Sequence, residues 1–261
     1  MDHIKQTEIN LLLGANLYVL LVGPPGSGKT TALQKAAKSA GVKYSFIAGT
    51  RQTTVSNILG FMSVNGTYVR SVFREAYEHG HYFNVDEADG MDANCMLVFN
   101  SLENNIVAFP DGYSEPPHKN FRFCATANPM NEHSTYTGRS KMDAAVLDRF
   151  DIVEMVPDEA LEKSLVEEST YVDIEIARKC LKDVNSSTYL SMRDSLRYQK
   201  RKDLKLGDNY IERLLCNDSI ALKEYSTIKA QMPRTVKISD CNTLSEVWGI
   251  ALRNSQNLKS T

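Results

Sequence analysis

The sequence lacks an excess of charge of either sign. Its 30 Lys and Arg side chains are offset by 32 Asp and Glu side chains, which gives a formal net charge of −2. A protein that binds DNA or RNA with its own surface usually carries a basic patch or stripe. The short basic cluster at residues 200–205 is interrupted by Asp203, so we interpret it as a solvated helix face. Binding of nucleic acid by this chain alone is therefore disfavoured.

Cysteines are few, and long apolar runs are absent. The five cysteines form no C-x-x-C pair and their number is odd, which argues against a disulfide framework and a structural zinc site. No apolar run approaches the ~18 residues that a membrane span needs, and residues 1–10 have no signal-peptide core. The histidines form no H-E-x-x-H motif. These absences predict a reduced, cytoplasmic protein with no membrane contact.

Residues 1–157 alternate short apolar runs with helical patterns. The apolar runs predict five strands, at residues 18–22, 44–48, 82–85, 121–126 and 152–156. Strands that alternate with helices typically form a parallel sheet that is covered on both faces, so we expect an α/β domain here. After Pro157 helical patterns dominate, and residues 158–261 predict a smaller, all-α domain.

Two segments interrupt the α/β alternation. Residues 56–72 contain Asn65-Gly66, a strong turn signal, and residues 106–120 carry three prolines and an Asp-Gly turn. We interpret both segments as short hairpin insertions. Four aromatic side chains in them either contact a substrate or partner or cover the body of the domain. These side chains are Phe61, Tyr68, Phe109 and Tyr113.

The strongest motif is GPPGSGKT at residues 23–30, which fits G-x-x-x-x-G-K-[ST] between a predicted strand and a predicted helix. Its glycines let the backbone wrap a phosphate, and successive N–H groups and the helix N-terminus then face the anion. We expect Lys29 to reach the β and γ phosphates and the Thr30 hydroxyl to ligate Mg²⁺. The predicted nucleotide-binding residues are Gly23, Pro24, Pro25, Gly26, Ser27, Gly28, Lys29, Thr30 and Thr31.

An acidic pair, Asp86 and Glu87, follows the predicted strand at residues 82–85. In this position Asp86 would hold the Mg²⁺ shell, partly through water, and Glu87 would orient and activate the attacking water. A plain acidic turn is the alternative interpretation. Asn84 is unexpected, because a buried strand of this kind is usually apolar throughout.

These motifs and their order resemble those of AAA+ ATPases, and the chain is similar to the MoxR, CbbQ/NirQ and CobS proteins of the dynein-related group. The resemblance spans about residues 15–200 and implies a fold of the P-loop NTPase type. That fold is a five-stranded parallel sheet with helices on both faces, followed by a small all-α lid. The resemblance also implies ATP and Mg²⁺ as cofactors and a homo-oligomeric ring of six subunits.

Within the resemblance, residues 125–129, ATANP, correspond to the sensor 1 segment, in which Asn128 would position the attacking water. The family's arginine finger maps onto Arg149, whose guanidinium would reach the γ-phosphate held by a neighbouring subunit. Such fingers contribute about 10³–10⁵ in rate. Arg139 is a second candidate for a trans-acting arginine. A salt bridge from Arg149 to Asp148 or Asp151 is the alternative.

Residues 190–197, LSMRDSLR, resemble the sensor 2 helix of the family. In that helix Arg193 would contact the γ-phosphate bound by its own subunit. Arg234 is a rival, because Met232-Pro233-Arg234 has a similar local pattern. Arg193 is favoured, since its distance along the chain from Arg149 suits the family better.

The resemblance implies a ring-forming ATPase that remodels or activates a protein client, with a partner that carries a von Willebrand A-type domain. Two other functions stay open. One is a nucleic-acid-directed motor, such as a helicase loader or translocase subunit, against which the near-neutral charge speaks. The other is a slowly hydrolysing nucleotide-dependent switch. The switch is disfavoured because the set of expected catalytic residues is complete. This set consists of Lys29, Asp86, Glu87, Asn128 and Arg149.

Overall fold

The computed structural model describes residues 1–129, 144–206 and 209–231. The chain divides into two compact units, Met1–Asp158 and Glu159–Thr261. The first unit contains a five-stranded parallel sheet with the spatial order β2-β5-β6-β1-β7. Its strands are β1 (Val19–Val22), β2 (Tyr44–Ala48), β5 (Tyr82–Asp86), β6 (Arg122–Ala127) and β7 (Asp151–Glu154). The five predicted strands and the α/β architecture are thus confirmed.

Alternate side chains of the central strands enter two separate cores. Along β1, Val19 and Leu21 pack into the core shared with two helices, whereas Leu20 packs into the core on the opposite face. Both cores exclude water, since all three side chains are fully buried. This two-sided burial explains why the strands are continuous apolar runs in the sequence. The helices of the first core are α1 (Gln6–Gly14) and α2 (Lys29–Ser39).

The opposite face of the sheet is covered by an aromatic core. Phe73 is its centre, with ring centroids 5.1 Å from Phe83, 5.3 Å from Phe99 and 5.8 Å from Phe109. The covering elements are α3 (Val55–Leu59), α4 (Val72–His79), α5 (Ala93–Met96) and α6 (Ala144–Leu147). The sequence pattern at residues 93–104 predicts one helix, but only Ala93–Met96 is α-helical, whereas Leu97–Asn104 and the preceding Ala88–Gly90 are 3₁₀ helices.

The two insertions differ from each other. Strands β3 (Phe61–Met62) and β4 (Tyr68–Val69) pair antiparallel around the predicted turn, which confirms that hairpin. Residues 106–120 form a tight turn, closed by the Phe109 N–H that donates to Tyr113 O at 2.9 Å, but contain no strand. The hairpin expected there is wrong, because its prolines have no N–H to donate and Phe109 is buried in the core.

The regular elements among the described residues of the second unit are all helices, joined by turns and short loops. Its helices are α7 (Glu159–Leu165), α8 (Glu168–Asp183), α9 (Met192–Asp203), α10 (Tyr210–Leu214) and α11 (Ser219–Gln231). They enclose their own core, in which Tyr198 and Tyr225 are almost fully buried. The sequence pattern also predicts a helix at residues 243–253, which lie outside the described residues. No helix in the described part of the chain is both long and apolar enough to cross a membrane.

Candidate functional site

The glycine-rich loop connects the buried strand β1 to the N-terminus of α2. Gly26 and Gly28 have φ angles of 79° and 87°, a region that residues with a Cβ rarely adopt. Gly23 is needed for space, because a Cβ there would overlap the Met155 carbonyl oxygen. Conformation and packing therefore explain all three glycines and turn the loop over the carboxyl end of the sheet.

The loop fits a chain of phosphate groups. The Lys29 ammonium group donates to Gly23 O at 2.6 Å and to Pro24 O at 3.0 Å, so it lies inside the curve of the loop. Ser27 Oγ is buried and has no hydrogen-bond partner within the described residues. The loop thus brings together a buried hydroxyl without a partner, a lysine and a helix N-terminus. These three groups are suited to binding an anion. Thr31, in the first turn of α2, is exposed.

The predicted metal-binding residues meet at the end of β5. Thr30 Oγ1 donates to Asp86 Oδ1 at 3.1 Å, although the two residues are far apart in the sequence. Oxygen ligands from a hydroxyl and a carboxylate are those that Mg²⁺ prefers. The geometry is therefore suited to a Mg²⁺ ion held by Thr30 and Asp86.

Glu87 follows Asp86 and has a left-handed backbone, with φ of 53° and ψ of 49°. Its N–H donates to Thr126 Oγ1 at 3.0 Å, and its side chain is exposed. Gly49 packs against it so closely that a Cβ would lie 2.5 Å from Glu87 O. A non-glycine residue in this region is uncommon and is often found at functional sites.

Asn128 lies beyond the end of β6, beside the glycine-rich loop. Its side chain is 6% exposed, and its Oδ1 accepts a hydrogen bond from Lys29 Nζ at 3.2 Å. Three separate chain segments thus place their polar side chains together at the carboxyl edge of the sheet. They contribute Lys29 and Thr30, Asp86 and Glu87, and Asn128.

The predicted arginines are placed differently. Arg149 follows α6, and its Nε lies 3.0 Å from Glu103 Oε1, so its described ion pair is with neither adjacent aspartate. Arg193 is an exposed residue in the first turn of α9, in the second unit. Arg139 and Arg234 lie outside the described residues.

Sequence reasoning missed three residues of the site. Thr126 bonds both acidic residues, and Gly49 donates its N–H to Asp86 O at 2.6 Å. Asn84 donates to the Tyr44 hydroxyl at 3.0 Å and lies 3.5 Å from Asp86 Oδ1. Burial raises the pKa of Tyr44 well above its ordinary value of 10.0, so this hydroxyl stays neutral. The polar residue inside β5 was the one signal in the sequence for this network.

The comparison with known families gives one match that covers the site. The profile of the AAA domain, dynein-related subfamily, matches residues 18–150. This range begins just before β1 and includes the glycine-rich loop, the acidic pair, Asn128 and Arg149.

Similar curated proteins are much longer than this chain. Midasin of Giardia intestinalis is 25% identical over 240 residues, which are 88% of this chain and 5% of that protein. Lon protease of Buchnera aphidicola is 27% identical over 245 residues, 82% of this chain and 29% of its own. The zinc metalloprotease FtsH of Acidothermus cellulolyticus is 32% identical over 140 residues, 49% of this chain and 20% of its own. The chain spans less than a third of each relative.

The family profile is the comparison that gives a residue range, and that range includes the site described above. The family profile covers about half of the chain, and its range contains four of the five strands of the parallel sheet; β7 begins at the next residue, Asp151. The chain belongs to the dynein-related subfamily of AAA domains, and so to the AAA+ ATPase family.

Proposed function

We propose that the chain binds ATP with Mg²⁺ and hydrolyses the bond between its β and γ phosphates. The observation that carries this proposal is the meeting of three chain segments at one edge of the sheet. Thr30 lies 3.1 Å from Asp86, and Lys29 lies 3.2 Å from Asn128, so the groups for phosphate, metal and water are adjacent. Phosphoryl transfer needs mainly such positioning and electrostatic stabilisation.

Each residue has a role that follows from its chemistry and place. Lys29 and the N–H groups before α2 bind the phosphates, and Thr30 and Asp86 hold the metal ion. Mg²⁺ bound there neutralises charge that develops on the phosphate oxygens. The exposed carboxylate of Glu87 orients and deprotonates the attacking water, and the Asn128 amide positions that water.

The finer proposal is a ring in which neighbouring subunits share each site. Arg149 is part-exposed, at 25% of its side chain, and is the candidate to reach the phosphate of the next subunit. Arg193 is the candidate to contact the γ-phosphate of its own subunit, with residues 158–261 acting as a lid. The AAA+ family supports a ring, and we propose six subunits.

We further propose that the motor acts on a protein client, together with a partner that carries a von Willebrand A-type domain. The net charge of −2 supports a protein client rather than a nucleic acid. The hairpin β3–β4 also exposes apolar side chains, among them Phe61 at 48% and Val64 fully. Exposed apolar side chains that cluster on one hairpin are typical of contact surfaces for other proteins.

The test is steady-state ATP hydrolysis by Glu87→Gln beside the wild type. The substitution keeps the size of the side chain but removes the base, so we expect ATP binding to remain and turnover to fall at least about 100-fold. Glu8→Gln, on the exposed face of α1, is the matched control and should keep wild-type activity. Full activity in Glu87→Gln would refute the assigned base, and a wild type that binds no ATP would refute the proposed function.

A further inference from the structure

One buried hydroxyl joins the two acidic residues of the site. Thr126 Oγ1 donates to Asp86 Oδ1 at 2.6 Å and accepts a hydrogen bond from the Glu87 N–H at 3.0 Å. Thr126 is 1% exposed and lies in β6, the middle strand of the sheet. A hydroxyl has one donor and two acceptor sites, so a single threonine can make both bonds at once.

The bond to Asp86 has the length of a strong, charge-assisted hydrogen bond. Distances of about 2.5–2.7 Å are typical when a hydroxyl donates to a carboxylate. Thr30, Thr126 and, at longer range, Asn84 all approach the same oxygen, Oδ1. With Oδ1 held from the protein side, the carboxylate has a fixed orientation, and Oδ2 is the oxygen left to face a metal shell.

The bond to Glu87 acts on the backbone. Glu87 has a φ angle of 53°, which a residue with a side chain adopts only where its surroundings hold it. The Thr126 hydroxyl accepts the N–H of this residue, and Gly90 donates its N–H to Glu87 O at 2.8 Å. The direction of the exposed Glu87 side chain therefore depends on the position of Thr126.

The strand alone does not require threonine here. The neighbours of Thr126 in β6 are Ala125 and Ala127, both buried, and valine has the same branched shape and favours strands. The buried Thr126 hydroxyl is instead explained by its two hydrogen bonds, one donated to the Asp86 carboxylate and one accepted from the Glu87 N–H.

We propose that Thr126 is a positioning residue that sets the distance and orientation between Asp86, which holds the metal shell, and Glu87, which activates water. The proposal rests on the ATPase function proposed above. It predicts that the Mg²⁺ requirement and kcat depend on the Thr126 hydroxyl. The affinity of the glycine-rich loop for the phosphates should not depend on it.

The experiment compares Thr126→Val with Thr126→Ser in the full chain. Valine keeps the shape but removes the hydroxyl, and we expect kcat to fall about 10–100-fold and the Mg²⁺ concentration for half-maximal activity to rise. Binding of a fluorescent ATP analogue in EDTA should not change. Serine keeps the hydroxyl and should restore kcat to within about threefold of the wild type.

Thr170→Val is the matched control. Thr170 is also fully buried, and its hydroxyl donates to Gln199 at 2.7 Å, but it lies in α8 of the second unit. We expect this variant to lose thermal stability without a change in Mg²⁺ requirement. If Thr126→Val does not fold, the pair Thr126→Ser and Thr126→Ala makes the same comparison.

The outcomes separate this proposal from the proposed function. A folded Thr126→Val with wild-type kcat and Mg²⁺ requirement, or a serine variant as impaired as valine, would overturn the positioning role. If the wild type hydrolysed no ATP, the proposed function would fall. In that case the positioning role would be tested by how strongly Mg²⁺ changes the nucleotide affinity of Thr126→Val and of the wild type. The same effect of Mg²⁺ on both proteins would refute the positioning role.

Discussion

Replacing Gly49 by alanine would move the acidic pair without changing its chemistry. Gly49 follows β2, and its N–H donates to Asp86 O at 2.6 Å. An added Cβ would lie 2.5 Å from Glu87 O and 3.1 Å from Asp86 O. Ordinary contact begins at 3.4 Å, so Glu87 must move by roughly 0.9 Å, because backbone atoms cannot rotate away.

The expected size of the effect follows from this displacement. A shift of about 1 Å in a catalytic group costs about 100-fold in rate. Overpacking of a tight site also costs about 1–3 kcal/mol in the free energy of unfolding. We therefore expect Gly49→Ala to stay folded, to lose about 100-fold in kcat, and to bind ATP almost normally, because the loop at residues 23–30 is not displaced.

The assay is steady-state ATP hydrolysis with kcat and KM measured separately, together with thermal unfolding. Gly14→Ala is the matched control, because a Cβ at Gly14 would have no atom within 4 Å. It should leave kcat unchanged. A folded Gly49→Ala protein with a kcat within about twofold of the wild type would refute the reasoning, because the acidic pair would then tolerate the shift.

Three further predictions concern binding, stability and pH. Lys29→Ala removes an ammonium that lies inside the loop, and we expect about 10–100-fold weaker binding in titrations with a fluorescent ATP analogue. Arg74→Met removes the buried side chain of Arg74, which is 3% exposed and pairs with the part-exposed Asp111, and should lower the free energy of unfolding in urea by about 1–3 kcal/mol. Burial and the charge of Lys43 lower the pKa of His81 below 6.5, so stability should be full above 6.5 and fall as pH drops through the lowered value. Substituting glutamine for His81 should flatten that decline.

Each of the three has an outcome that contradicts it. Unchanged nucleotide affinity in Lys29→Ala would place the phosphates elsewhere. An Arg74→Met protein as stable as the wild type would show that the buried ion pair contributes nothing net to folding. If acid destabilisation below pH 6.5 were the same with and without His81, the histidine would not be its source.

The centre of the sheet could be predicted because the strands β1, β5 and β6 are buried on both faces. Residues 19–22 form an uninterrupted apolar run, and β1 is one of the three strands that have a neighbour on both sides in the structure. The loop at residues 106–120 could not be predicted, because turn residues mark a reversal of the chain but not whether strands pair beside it. Burial of Phe109 against Phe73 decided that point, and this contact joins residues far apart in sequence.

The same limit applies to the site. Lys29, Asp86 and Asn128 were predicted because each belongs to a motif with fixed spacing. Thr126 and Gly49 were not, because their roles come from distances between neighbouring strands, which spacing along the chain does not encode. The Glu103 partner of Arg149 was missed because this ion pair joins residues that are far apart in the sequence.

The most direct test of the central claim is to co-express Arg149→Ala and Glu87→Gln subunits and to measure ATP hydrolysis by the mixture. If each site is shared, either variant alone is inactive. In the mixture, an Arg149→Ala subunit supplies an intact Glu87, and its Glu87→Gln neighbour supplies Arg149. The account predicts activity up to about a quarter of the wild type, the fraction of such interfaces in a randomly mixed ring. A mixture that assembles and binds ATP but stays as inactive as each variant alone would contradict it.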